Sequence, residues 1–403
     1  MKKITFTYLP KYWKPLAGVF FVVATTFSAL YYFNVFHWRY SNMRVNLSTE
    51  EIEDRIKVIS EECLNLEGEK KQDCYKSQLI SLTKQYGITT SEKILFTLQE
   101  RDDTLRSCHV IAHYMSREAY ERDPRGLFKL LDTLDINSCG GGLMHGALEA
   151  YLAKEKKDGL TTAVVEDICG RSTNERRQTT CAHLMGHMAL INTYGNVDEA
   201  LPLCESLRYQ WHYMCYDGLF MEDHQKLALS EHGIMPMPAQ NKEYIDKMES
   251  DCAKYEGIPL KTCWKEMAEM YAHIYGYDPY RVWKECSKAP ANELVNECYL
   301  KGAELLAMYP YYFDNAEKVT SICSFYSNSW QYTDCTRRIL SAMIYNSTRF
   351  ITRGITLCQN IPINYINSCF YSLQQILQSV VPDPVKRKEL CTRLPEIQRD
   401  GCY

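Results

Sequence analysis

The sequence predicts an all-α protein: disulfide-stapled helical hairpins repeated as a solenoid, behind one N-terminal transmembrane helix. Three observations indicate this fold class. Cysteine recurs at a fixed interval, one long uncharged run lies near the N-terminus, and no run of alternating β-branched residues is bounded by tight turns. Repeated helical units that stack on their neighbours account for the first and third observations together.

Composition restricts the class of protein. The chain has 403 residues, of which 46% are hydrophobic, as in a globular protein. Its 18 cysteines are too dilute for a disulfide miniprotein but numerous for a cytosolic enzyme. Lys and Arg number 46 against 50 Asp and Glu, so no basic excess indicates a nucleic-acid partner.

The first element is a predicted signal-anchor helix over residues 15–36. Leu16–Phe36 carries no charged side chain, and its 21 residues would span about 31 Å as a helix, enough to cross a bilayer. Residues 1–14 contain four lysines and no acid, which predicts a cytoplasmic tail. A cleaved signal peptide is the alternative, although Phe27–Ala29 makes a poor cleavage site. Both alternatives export the bulk of the chain to a periplasm, cell surface or lumen.

After a linker at residues 37–48, cysteine spacing defines the next elements. Sixteen cysteines form eight pairs whose partners are 11 or 12 positions apart: Cys63 and Cys74, Cys169 and Cys181, Cys204 and Cys215, Cys252 and Cys263, Cys286 and Cys298, Cys323 and Cys335, Cys358 and Cys369, Cys391 and Cys402. Each pair predicts a short helix ending at the first cysteine, a turn, and a longer helix beginning at the second. A disulfide across such a hairpin needs Cα atoms about 4.4–6.8 Å apart, which this layout provides.

The units divide into N-terminal repeats at residues 49–225 and C-terminal repeats at residues 226–403. Most units are 33 to 37 residues long. In unit length and helix-pair layout they resemble the tetratricopeptide class of helical repeats, without its Trp-Leu-Gly-Tyr pattern. No Cys-x-x-Cys occurs, so zinc-ribbon and thioredoxin-type interpretations lose their usual support.

Cys108 and Cys139 lie outside the regular spacing. One interpretation is a ninth disulfide between two adjacent helix starts, which pairs every cysteine. The other is a redox-active pair or a thiolate metal ligand. The glycines 140–142 favour close helix packing over a ligand at the helix N-terminus.

Histidine distinguishes some repeats from others. Paired ligand-type residues four positions apart fall on three consecutive helices: His109 and His113, His145 and Glu149, His183 and His187. Such pairs lie on one helical face, and the last four of these residues share a direction to within about 80°. Neighbouring helices can bring them together, and Glu222 or His224 from the following helix would complete the set.

Imidazole with carboxylate predicts a transition metal, namely Zn, Fe, Mn or Cu, at one site or at a two-metal site. The first hypothesis is therefore a metalloprotein, in one version a metal- or oxygen-handling enzyme. The second hypothesis is a metal-free scaffold that holds a protein partner in its groove, as a subunit of a membrane complex. No Gly-x-Ser-x-Gly, His-Glu-x-x-His, P-loop or dinucleotide motif supports a common enzyme class.

Overall fold

The computed structural model describes residues 47–402, apart from 106–107, 135–137, 156–158, 173, 232, 327 and 382. Over these residues the chain is helical and contains no strand. The α-helices are α1 (Thr49–Cys63), α2 (Gly68–Tyr86), α3 (Ile88–Gln99), α4 (His109–Arg122), α5 (Leu127–Thr133), α6 (Gly142–Glu155), α7 (Thr162–Gly170), α8 (Glu175–Asn192), α9 (Val197–Ser206), α10 (Tyr209–Gln225), α11 (Leu227–Glu231), α12 (Lys242–Cys252), α13 (Gly257–Ile274), α14 (Pro279–Cys286), α15 (Asn292–Met308), α16 (Pro310–Phe313), α17 (Ala316–Ile322), α18 (Ser329–Asn346), α19 (Ile351–Asn360), α20 (Ile366–Val380) and α21 (Pro384–Cys391). Short 3-10 turns occupy Asp103–Leu105, Pro124–Gly126, Ser138–Gly141, Cys323–Phe325, Thr348–Phe350, Ile363–Tyr365 and Glu396–Gln398.

The predicted signal-anchor at residues 15–36 lies outside the described residues. Among the helices that the structure does describe, none is both long and apolar enough to cross a membrane.

Nine disulfides are present, and they pair the cysteines as the spacing predicted. The Cα atoms of each pair lie 5.0 to 5.8 Å apart. Cys108 and Cys139 form the ninth bridge, so neither offers a free thiolate. Structural bridges therefore account for every cysteine in the chain.

The predicted helix start was wrong in detail, because the second cysteine does not begin the longer helix. In the hairpin of α9 and α10, Cys204 lies near the end of α9, and α10 begins at Tyr209, with only two residues between the helices. Cys215 follows one and a half turns into α10. The chain reverses within this tight turn, so it is the second turn of α10 that comes opposite the end of α9 and carries the bridging cysteine.

The last pair also departs from the hairpin prediction. Cys391 ends α21, but Cys402 lies in a turn after the 3-10 segment Glu396–Gln398 rather than in a second helix. Pro395, just before that segment, contributes no backbone N–H and so does not favour continuation of a long helix.

The longer helices pack one after another in chain order: α2 on α4, then α6, α8, α10, α13, α15, α18 and α20. Two apolar cores lie along this row. One is formed mainly by α1 to α4, the other extends from α4 to the C-terminus, and they meet at α4 and α6. The predicted histidine site falls on α4, α6 and α8, at this junction.

Residues far apart in the chain also touch. The Arg349 guanidinium donates to the Phe96 carbonyl at 2.6 Å and lies 3.0 Å from the Glu100 carboxylate. Arg176 packs over the ring of Tyr345 at 3.9 Å. The C-terminal helices therefore return to the N-terminal ones, and the row of helices curls back on itself.

Candidate metal centre

Five histidines from three helices form one cluster. His109 and His113 lie on α4, His145 on α6, and His183 and His187 on α8. Successive ring centroids are 4.9 to 5.7 Å apart, and the ring of His145 contacts the other four. The structure thus brings together all five histidines that the sequence singled out on these helices.

Glycines allow the helices to approach closely enough for this arrangement. A Cβ at Gly142 or Gly146 of α6 would overlap the carbonyl oxygens of His109 or His113 on α4. On the other side, a Cβ at Gly186 or Gly218 would overlap backbone atoms across the α8–α10 contact. Only glycine permits this backbone-to-backbone packing, which draws the histidine-bearing turns together.

Four of the histidines have a partner at Nδ1. Nδ1 of His109 lies 3.0 Å from the Cys139 carbonyl, which can only accept, so this nitrogen donates. Nδ1 of His113 lies 3.1 Å from the Glu149 carboxylate. Nδ1 of His183 lies 3.3 Å from the Asp217 carboxylate, and Nδ1 of His187 lies 3.4 Å from the Glu222 carboxylate. This is the arrangement that fixes Nε2 as the ligand nitrogen in metal-binding histidines.

The Nε2 atoms of His183 and His187 lie 3.1 Å apart. When both Nδ1 atoms carry the ring proton, both Nε2 atoms present lone pairs, so neither can donate to the other. Two such nitrogens bound to one tetrahedral ion at about 2.0–2.1 Å would lie about 3.3 Å apart. The observed spacing is close to that of a pair of ligands.

Burial keeps three of the imidazoles, those of His109, His145 and His183, uncharged. His145 is 4% exposed and His183 8%. Desolvation lowers the pKa of His183 to about 4, although the neighbouring Asp217 carboxylate opposes this shift. Burial, assisted by the neighbouring His113, lowers the pKa of His109 to about 3, and burial places the pKa of His145 well below its usual value. Neutral imidazoles are the form that binds metal.

A chain of buried charges leads away from His183. Asp217 lies between His183 and the ammonium group of Lys265, which also lies 3.3 Å from Glu266. The ammonium group of Lys301 lies 3.4 Å from the other carboxylate oxygen of Glu266. Burial alone would raise the pKa of Asp217, but Lys265 and His183 hold it well below its usual value. Asp217 is therefore an ionised acceptor for His183.

The predicted carboxylates lie behind the histidines rather than among them. Glu149 is 1% exposed and contacts His113 Nδ1 together with Arg117, 3.2 Å away. Glu222 accepts the Leu229 backbone N–H at 2.8 Å with its other oxygen.

His224 lies apart from the cluster. Its Nε2 is 3.6 Å from Sγ of Cys263 and 3.9 Å from Sγ of Cys252. These three residues have the spacing of a metal site. The two sulfurs, however, are joined in a disulfide and supply no thiolate.

The Cys108–Cys139 disulfide contributes to the cluster through the backbone. Both cysteines are fully buried beside α4 and α6. Cys139 has a φ of 54°, in the left-handed region, and its carbonyl contacts His109. The one bridge outside the regular spacing thus fixes a histidine partner.

Sequence reasoning missed Asp217, Lys265 and the glycine contacts. A signal for Asp217 was present, since a carboxylate between the buried Tyr216 and Leu219 needs a partner in the interior. Glycines directly beside histidines inside helices were a second signal. Lys265 has no local signal, because its partner lies on another helix.

Comparison with protein-family models, with curated proteins and with solved structures finds no match for this chain.

Proposed function

We propose that this chain is a membrane-anchored, extracytoplasmic metalloprotein, a solenoid of helical repeats that binds a transition metal ion at its five-histidine cluster. Zn, Fe, Mn and Cu are the candidate metals, since these ions suit imidazole ligands better than Ca or Mg. The ligands in this proposal are His109, His113, His145, His183 and His187.

The observation that carries the proposal is the short distance between the Nε2 atoms of His183 and His187, 3.1 Å, with Asp217 and Glu222 behind them at Nδ1. Two lone pairs held this close repel each other unless a cation lies between them. Metal-binding histidines commonly have such a carboxylate partner at Nδ1, which favours the tautomer that leaves Nε2 free to bind an ion.

The carboxylates act in this proposal as partners of the ligands. Glu149, Asp217 and Glu222 orient three rings and raise their basicity, while the Cys139 carbonyl orients a fourth. His224 takes no part, because it packs against a disulfide elsewhere. A bound ion with an open coordination position would serve metal or oxygen handling.

The location outside the cytoplasm is supported by the nine disulfides, which persist in oxidising compartments. The uncharged run at residues 16–36, preceded by lysines, supports an anchor with a cytoplasmic N-terminus. Stacking of the long helices in chain order supports the solenoid.

The test is the metal content of the full chain, purified and measured by elemental analysis, against the triple variant His145→Ala/His183→Ala/His187→Ala. We expect at least one transition-metal ion per wild-type chain and none in the triple variant. His273→Ala is the matched control, because His273 is partly exposed on α13, away from the cluster, and its loss should leave the metal content unchanged.

A wild-type chain that binds no transition metal, even after reconstitution with Zn²⁺, Fe²⁺, Mn²⁺ and Cu²⁺, would overturn the proposal. That result would favour the metal-free scaffold.

A further inference from the structure

The five histidines form two triangles that meet at His145. In the first triangle, the rings of His109, His113 and His145 have centroids 5.0, 5.4 and 5.7 Å apart. In the second, His145, His183 and His187 have centroids 4.9, 5.7 and 5.7 Å apart. His145 lies at the centre of the cluster, with two histidines on either side.

These distances suit two ions better than one. Two imidazoles on one ion at about 2.0–2.1 Å have ring centres roughly 4.5–5.5 Å apart, and each triangle is close to that range. One ion bound by five nitrogens needs every pair of nitrogens within about 4.2 Å. The three ligand atoms of His109, His113 and His145 lie within 4.8 Å of one another, and that set does not include His183 or His187.

The Nδ1 contacts also assign a different role to His145. Nδ1 is held by a carbonyl or carboxylate in His109, His113, His183 and His187, so each of these offers Nε2 to a single ion. The ring centroid of His145 lies 5.0 and 5.7 Å from those of His109 and His113, and 5.7 Å from those of both His183 and His187, so this ring lies between the two pairs. A ring between two ions can bind one through each nitrogen.

We propose that the cluster binds two transition-metal ions, one per triangle, and that His145 is a ligand shared by both. The inference rests on the proposed function, since it gives the nuclearity of the same centre. When the second ion binds, the ring N–H proton of His145 passes to solvent and both ring nitrogens then coordinate. No electron is transferred and no other bond changes.

The experiment measures ions per chain in the purified full chain after metal removal and reloading with Zn²⁺. We expect two ions in the wild type. We expect one ion in His109→Ala/His113→Ala, which keeps the second triangle, and one in His183→Ala/His187→Ala, which keeps the first. His273→Ala should retain two ions.

Loading with Cu²⁺ gives a readout that does not depend on the variants folding. An imidazole ring bridging two Cu²⁺ ions couples their spins, so the electron paramagnetic resonance signal of the wild type should fall well below its copper content. In each double variant, the single remaining Cu²⁺ should give a full signal.

The possible failures separate this inference from the proposed function. One ion in the wild type would overturn the inference alone: a single five-histidine site if both double variants abolish it, and a site at one triangle if only one of them does. Two Cu²⁺ ions in the wild type with a full, uncoupled signal would also overturn the inference alone. No ion in the wild type would overturn both proposals.

Discussion

At the scale of single residues, the cluster depends on side chains that never face its centre. Asp217 lies between His183 and Lys265, and all three are at least nine-tenths buried. A buried carboxylate keeps its charge only while a cation compensates it. Lys265 therefore acts on His183 through Asp217, as a positioning residue for the metal centre.

Lys265→Met tests this role, because methionine fills similar space without the charge. Burial would then raise the pKa of Asp217, and a neutral partner would leave His183 a weaker ligand. We expect metal affinity to fall about 10- to 100-fold, the range typical of lost partners behind metal ligands. Competition with a chromogenic chelator measures the metal affinity of the variant.

Lys261→Met is the matched control for this substitution. Lys261 lies one turn earlier on α13, is half-buried, and pairs with Glu293 and Glu297 rather than with Asp217. Its loss should leave metal affinity unchanged. Equal metal affinities for the two folded variants would show that Lys265 does not position the metal centre.

The site was predictable at this scale only in part. Histidines four residues apart lie on one face of a helix, so His183 and His187 could be recognised as candidate ligands from their spacing alone. Whether Glu149 is a ligand or a partner depends on distances of an ångström between helices, which spacing does not encode. Lys265 meets Asp217 across 48 residues of chain, so no local pattern joins them.

At the scale of helices, glycine contacts set the separation of the histidine-bearing elements. Gly218 of α10 lies against the His183 carbonyl on α8, and an added Cβ would also come within 3.1 Å of the His187 ring. Because the His183 carbonyl is fixed by its helix, the two helices would have to separate.

Gly218→Ala should therefore lower the unfolding free energy by about 1–3 kcal/mol, the usual effect of overpacking, and weaken metal binding. Gly170→Ala is the control, because the nearest atom to an added Cβ there is a flexible Arg208 nitrogen at 3.6 Å. That change should shift stability by no more than about 1 kcal/mol. Urea unfolding of both variants measures these changes in unfolding free energy. Similar losses of unfolding free energy in the two variants would contradict the packing argument.

The disulfides differ in whether they position part of the histidine cluster. Cys108→Ser/Cys139→Ser removes the bridge beside His109, whereas Cys358→Ser/Cys369→Ser removes one in the C-terminal half. Each loss should lower the unfolding free energy by about 3–4 kcal/mol. We expect the first variant alone to bind metal more weakly, because the Cys139 carbonyl would no longer be fixed against His109. Equal affinity of the two variants at a temperature where both are folded would contradict this.

Cysteine spacing predicted the helical hairpins because a bridge requires the Cα atoms to be near each other, and 11 or 12 residues allow this only with a reversal between the cysteines. The start of the longer helix was placed at the second cysteine, whereas most of these helices begin six residues before it and α20 begins three residues before it, because spacing fixes how far apart the cysteines are and not where a helix starts. The hairpin prediction failed for the last unit because Pro395 and the turn after it leave no second helix at Cys402.

At the scale of the whole molecule, buried charges link stability to pH. Burial raises the pKa of Glu266 to about 7, with Lys301 and Lys265 opposing the shift and Asp217 and Glu269 adding to it. From its ordinary value of 4.5 up to about 7, the folded chain keeps a proton that the unfolded chain releases. Glu266 alone therefore makes the unfolding free energy fall as pH rises through this window, whereas the lowered pKa values of His109, His145 and His183 make it rise up to their ordinary value of 6.5.

Glu266→Gln removes the falling contribution, so the unfolding free energy should rise more steeply with pH between 4.5 and 7 than in the wild type. Glu293→Gln is the control: its exposed carboxyl bonds to Lys261, which lowers its pKa and places its effect below that window. Denaturant unfolding across this pH range checks both. An unchanged slope in Glu266→Gln would show that Glu266 is not the group responsible.

The nine bridges have a consequence for how a broken chain would hold together. Eight of them join cysteines only 11 or 12 positions apart, and the ninth joins cysteines 31 positions apart. A protease cut inside one of these short loops leaves both fragments covalently attached until a reductant is added. A cut between loops, for example between Cys215 and Cys252, leaves no covalent link at all. Gel mobility with and without reductant would therefore locate each nick along the row of hairpins.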